Sequence, residues 1–269
     1  MPRLLKALPL TLAIATLTIA AVSILATSCS SNNGTSARFF NAIPNTVQYG
    51  GALDVEVNGS VQFSGVNFGS ASASTYTRIP SGNVTFEGFE SPGVTTPVFT
   101  DSTTLSGGTQ YTEVATGQAG GVGSNQVVLM SLSDDNSLPN DGTLNFRVIN
   151  AALNASFSPN GSVDIWIERA PYNFQLEQPA TIRNLAYQSA SGYVNVAYNP
   201  APGEGFTVFV NTVGLGAEVG TPLINPFPIS VSGSQTSASV CTLVLVDNPN
   251  SNSMSQSPVP LDDNNCPIN

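Results

Sequence analysis

Phe146-Arg147-Val148-Ile149-Asn150-Ala151 restates Ala37-Arg38-Phe39-Phe40-Asn41-Ala42, with its arginine 109 residues further along the chain. A second pair follows in the same order. Leu53-Asp54-Val55-Glu56-Val57-Asn58 and Val163-Asp164-Ile165-Trp166-Ile167-Glu168 place their first aspartates 110 residues apart. Two matches at one spacing identify a duplicated unit. Each segment alternates apolar and polar residues, the period of a half-buried strand, so Leu53, Val55 and Val57 face inward and Asp54, Glu56 and Asn58 outward.

Turn chemistry fills the gaps, as in Asn58-Gly59-Ser60, Pro80-Ser81-Gly82-Asn83, Ser106-Gly107-Gly108 and Pro159-Asn160-Gly161. Strand-sized runs recur between these turns, and no long stretch after the leader has helical spacing. The expected architecture is all-β, with two tandem antiparallel β-sandwich domains of the Ig-like or transthyretin-like kind. The first spans residues 37–135 and the second 144–248. A polar linker with Pro and Gly (136–143) joins them, and an Asn-, Ser- and Pro-rich tail (249–269) reads as irregular.

Composition excludes several function classes. Only 9% of the 269 residues are charged, and there is no histidine. Ser-His-Asp and Cys-His catalysis and His-ligated metals are therefore absent. Beyond the leader, five arginines and no lysine face 17 acids. Such a surface repels nucleic acid and gains little from anionic lipid, so a membrane link has to be covalent.

Residues 1–28 have the form of an export leader. Arg3 and Lys6 precede an apolar run, Ala7–Leu25, and then Ala26-Thr27-Ser28 before Cys29. This end resembles the lipobox of bacterial lipoproteins, with Ala26 where that motif prefers Leu. The resemblance implies a diacylglyceryl (palmitate-type) cysteine at Cys29. Ser30, where inner-membrane retention uses Asp, implies the outer membrane or cell surface. A plain secretory signal or an uncleaved anchor helix is the alternative. Residues 29–36 then form a lipid-anchored tether. Outside the cytoplasm, the remaining thiols Cys241 and Cys266 are expected to form a disulfide that staples the tail to the last strand.

Ala37–Ala42, Leu53–Gly59, Val66-Asn67-Phe68-Gly69, Ile79-Pro80-Ser81-Gly82 and Leu105–Thr112 resemble bacterial "domain of unknown function 4397" modules. The resemblance covers most of residues 37–132, reappears at the first two strands of the second copy and fades after Tyr187. It implies an extracytoplasmic sandwich, often lipidated and in tandem, and carries no catalytic residues.

Few residues invite chemistry. Arg38 with Asp54, and Arg147 with Asp164, read as cross-strand structural pairs, or else as carboxylate-binding forks. Trp166 takes the outward place of Glu56 and is a candidate ligand contact, either a sugar-stacking surface or simple packing. Asp134-Asp135-Asn136 and Asp262-Asp263-Asn264 read as solvated linker and tail rather than calcium ligands, so no metal or cofactor is expected. Glu87 with Glu90, or Asp164 with Glu168, would serve a glycosidase only across a cleft. The resulting expectation is a non-catalytic binding, adhesion or cell-envelope module for a glycan or protein ligand, attached to the membrane through its acylated cysteine. A carboxylate-dependent hydrolase and a structural spacer are the alternatives.

Overall fold

The computed structural model describes residues 34–44, 51–73, 75–153, 161–169, 179–197, 205–214, 223–230, 238–250, 253–255 and 258–266. Cys29 and the leader lie outside them. The described residues contain strands and no α-helix, so none forms a helix long and apolar enough to cross a membrane.

In the first half the strands are β1 (Thr35–Ala42), β2 (Ala52–Val57), β3 (Ser60–Asn67), β4 (Ser70–Ala71), β5 (Thr77–Ile79), β6 (Gly82–Ser91), β7 (Phe99–Leu105), β8 (Gln110–Thr116) and β9 (Val128–Ser133). The second half has β10 (Thr143–Asn150), β11 (Val163–Arg169), β12 (Ile182–Leu185), β13 (Ser189–Ala190), β14 (Val194–Ala197), β15 (Gly205–Thr212), β16 (Ile224–Ser230), β17 (Ser239–Leu245) and β18 (Val259–Asn264).

One sheet of the first half runs β4-β1-β8-β9 with β5 beside β1, and the other runs β3-β2-β6-β7. Adding nine to every number produces the two sheets of the second half. The duplication read from four short segments therefore extends through the whole topology. The pairing is antiparallel except at β1–β8 and β10–β17, which are parallel. These two strands of each half are far apart in sequence, so no hairpin dictates their relative direction.

Local chemistry explains the elements. Asn58 and Gly59 join β2 to β3 with φ of 52° and 76°, the left-handed pair that a two-residue hairpin requires. Gly88 on β6 leaves room for the Phe99 ring, which a Cβ would meet at 2.1 Å. Alternation then sends Phe39, Leu53, Val55, Phe86 and Leu105 between the two sheets of the first half. There Phe39 stacks with Phe63 and Phe99 at 5.9 and 6.3 Å. Phe146, Val148, Ile165, Val208 and Leu243 fill the second half.

A third core joins the halves. Phe40, Ala42, Val114 and Met130 pack with Ile149, Ala151, Val244, Val246 and Leu261. Strands β1, β8, β10 and β17 therefore have both faces covered, and β1 is buried along nearly its whole length. Fully burying each large side chain contributes about 1.5–3 kcal/mol. The expectation that Ala37–Ala42 is half-buried is corrected here, because its second face meets the other half rather than solvent.

Two boundaries also move. Thr35 and Ser36, expected in the tether, begin β1, and the buried Thr35 hydroxyl donates to the Ser106 carbonyl at 2.8 Å. The expected irregular tail contains β18, which pairs with β17. The Cys241–Cys266 bridge forms across 25 residues and ties this last segment to the core.

Candidate functional site

Each half contributes an arginine, a tyrosine, a threonine and an aspartate in equivalent places where the halves meet. On β1, Arg38 points away from its own sandwich core. Its Nε donates to Thr112 Oγ1 on β8 at 2.9 Å, and its guanidinium lies over the Tyr76 ring at 5.1 Å. Its remaining nitrogens cross to the other half, reaching the Asp262 carbonyl at 2.9 Å and the Asp263 carboxylate. On β10, Arg147 does likewise. Its Nε donates to Thr242 Oγ1 at 3.0 Å, and it lies over Tyr193 at 4.9 Å. It crosses to the Ser133 carbonyl at 3.2 Å and to Asp134 Oδ1 at 2.5 Å.

The acids are held by their own halves. Asp134 accepts from Thr112 at 2.7 Å and from Tyr76 at 2.6 Å. Asp263 accepts from Thr242 at 2.6 Å and from Tyr193 at 3.3 Å. Arg38 also stands 3.9 Å from Asp134, which links the two exchanges. Both aspartate side chains are fully buried, and the arginine side chains are 2% and 4% exposed. Two positive and two negative charges leave the cluster neutral, the condition on which charges tolerate a dry interior.

Burial is the largest influence on Arg38, Asp263, Tyr76 and Tyr193. It opposes the charge of Arg38, but Asp263, Tyr76 and Asp134 outweigh it and hold the guanidinium above its ordinary value. Burial lifts the Asp263 carboxyl, and Arg38 and Thr242 offset only part of that. It likewise raises the Tyr76 and Tyr193 hydroxyls, keeping both as neutral donors.

The expected partners of the arginines are thus corrected. Asp54 instead accepts from Ser64 Oγ and the Gly65 amide, both at 2.7 Å. Asp164 accepts from the amides of Asn184 and Gly214 at 2.7 and 3.0 Å. In both halves this aspartate faces away from its sandwich core while the arginine faces the other half, so the two cannot meet. The expectation that Asp134 and Asp263 are solvated is overturned by their burial.

Trp166 is corrected as well. It does leave the sandwich core, as alternation demands, but it pairs across to Phe209 on β15, packs with Ala180 and is 4% exposed. It is therefore not a surface platform. The carboxylate pairs do not converge. Glu87 and Glu90 are three apart on β6 and so face opposite ways, and Asp164 is committed to backbone amides. Among the described residues no group of three or more His, Cys, Asp or Glu is placed to hold a metal.

Two features escaped sequence reasoning. One is a matched asparagine in the shared motif. The buried amides of Asn41 and Asn150 each donate to two carbonyls, Gly51 and Val66 in the first half, Gly161 and Leu185 in the second. The equal spacing of these asparagines after each arginine was the available signal.

The other feature is a groove of about 570 Å³ beside the charge cluster. It is lined by Ser36, Thr75, Tyr76, Gln110 and Asn136 from one half and by residues 262–265 from the other. The Asn136 amide nitrogen donates to Gln110 at 2.7 Å and to Tyr76 at 3.2 Å, while its buried Oδ1 accepts from no described group. Hydroxyl and amide groups dominate this wall, with Asp262 and Asp263 beside them, a chemistry for hydrogen-bonded recognition.

No curated protein matches the chain. Residues 35–165 match the family model described as Domain of unknown function (DUF4397), a segment that covers the first half and reaches into β11 of the second.

Proposed function

We propose that this protein is a lipid-anchored, extracytoplasmic binding module of the bacterial cell envelope, without catalysis, and that its second half is a diverged second copy of the family module matched by the first. The observation that supports the reading best is the polar groove, whose two walls come from different halves while the buried arginine exchange beside it fixes their relation. Such a surface suits a polyhydroxylated ligand, because rigid, pre-placed donors and acceptors lose little entropy on binding. Anchoring rests on the leader and Cys29.

Probing a glycan array with detergent-solubilised full-length protein tests the ligand. Binding that falls at least tenfold in Gln110→Ala, with the thermal midpoint unchanged, supports the groove. Equal binding by both proteins, or none by either, removes it. Anchoring is tested by mass spectrometry of the native N-terminus, where any species other than an acylated Cys29 refutes it.

A further inference from the structure

The first sandwich carries an acid in its interior at a position where the second has a leucine. Glu113 lies on β8 between Thr112 and Val114, at the position that Leu243 occupies on β17. Alternation along β8 sends Thr112 and Val114 toward the other half, and Tyr111, Glu113 and Ala115 into the first half's own core. Glu113 is 0% exposed. Its Oε2 accepts from Ser131 on β9 at 2.5 Å, and its buried Oε1 has no described partner.

The surroundings are those of a seam. Strands β7 and β9 end their respective sheets and lie against each other without pairing. Asp101 on β7 bridges them, its carboxylate accepting from the Leu129 amide on β9 at 3.4 Å. The charged groups acting on Glu113 are Asp101 from β7 and Asp134 just past β9, both acids that oppose its ionisation. Phe39, its neighbour on β1, carries no charge. Among the described residues, a carboxylate there would have one hydroxyl donor, two repelling acids and no cation. Its remedy would be water, and the nearest entry is the seam, where Asp101 and Ser131 are already partly exposed.

We infer that Glu113 is a proton-operated latch: neutral, it lets the β7–β9 seam close, and its loss of a proton to solvent loosens the first half while leaving the second intact. Burial first, then Asp134 and Asp101, push its carboxyl up to about 8 from the ordinary 4.5, against the hydrogen bond from Ser131. A group raised in the folded state contributes stability that is complete below 4.5 and lost as pH rises through about 8.

The experiment follows the full-length chain from pH 5 to pH 9. The wild-type thermal midpoint should fall by roughly 5 °C or more relative to Glu113→Gln, whose side chain stays neutral. The carboxyl carbon resonance of Glu113 should titrate between pH 7 and 9. Emission from Trp166, the single tryptophan, reports the second half and should not change over that range. Should Glu113→Gln fail to fold, Glu113→Leu, which copies the second half, replaces it. Parallel midpoint curves for wild type and variant, or a carboxyl that titrates below pH 6, would overturn the latch.

Discussion

On the inner face of the parallel strand pair, Glu113 stands in the first half where Leu243 stands in the second. On the side turned to the other half, four polar groups agree. Arg38, Tyr76, Thr112 and Asp134 have their counterparts in Arg147, Tyr193, Thr242 and Asp263. The peripheries differ again. A two-residue turn joins β2 to β3, while β11 and β12 are separated by residues 170–181, and only the second half carries a disulfide. The agreement lies where each half must satisfy the other. A charge exchanged across the junction needs its partner, and each half supplies one donor and one acceptor, so neither can change alone. The inner faces answer only to their own cores, so they diverge at Glu113 and Leu243 while keeping the matched asparagines Asn41 and Asn150.

The largest expected effect strikes the shared face. Arg38→Ala or Arg147→Ala strands a buried carboxylate and should each lower stability by about 3–5 kcal/mol in urea unfolding. In a double-mutant cycle, Arg38→Ala with Asp263→Ala should cost well under the sum of the two singles. Strict additivity would show that the exchange does not couple the halves.

Next comes the staple that one half lacks. Cys266→Ser opens a loop of 25 residues and should cost about 3 kcal/mol, mirrored by an equal shift of the wild type under reductant. The asparagines test the equivalence of the halves directly. Asn41→Ala and Asn150→Ala each abandon two buried carbonyls and should each cost about 2 kcal/mol. A difference between them much beyond 1 kcal/mol would break the correspondence.

The smallest effect belongs to Asp54. Burial tends to raise its carboxyl, but hydrogen bonds from Ser64, Gly65 and Ser91 hold it below the ordinary 3.8. Its contribution is therefore present above 3.8 and lost as pH falls through the lower folded value. Because the site is exposed, Asp54→Asn should cost less than about 1 kcal/mol, with a correspondingly faint change in the acid limb of a stability–pH curve.

Much of this architecture was legible in the chain. The alternation of Leu53 to Val57, the Asn58-Gly59 turn and the repeat spacing are local patterns, and local patterns report strands, turns and duplication. The disulfide was legible because reading Cys29 as the lipid site leaves Cys241 and Cys266 as each other's intramolecular partner. The partner of Arg38 was not legible. Asp263 lies 225 residues away, and nothing in the periodicity of β1 distinguishes a face turned to water from one turned to a second sandwich. The same limit applies to Trp166, whose side of the strand follows from alternation but whose cover depends on Phe209 and Ala180.

The sequence by itself determined an all-β, duplicated chain, since side-chain period and turn chemistry act within a few residues. Tertiary structure alone decided that both arginines are buried, that the acids of the linker and tail hold them, and that Glu113 is buried in the first half. Those outcomes depend on which surfaces meet, and burial and electrostatic pairing are properties of the assembled fold rather than of any segment in it.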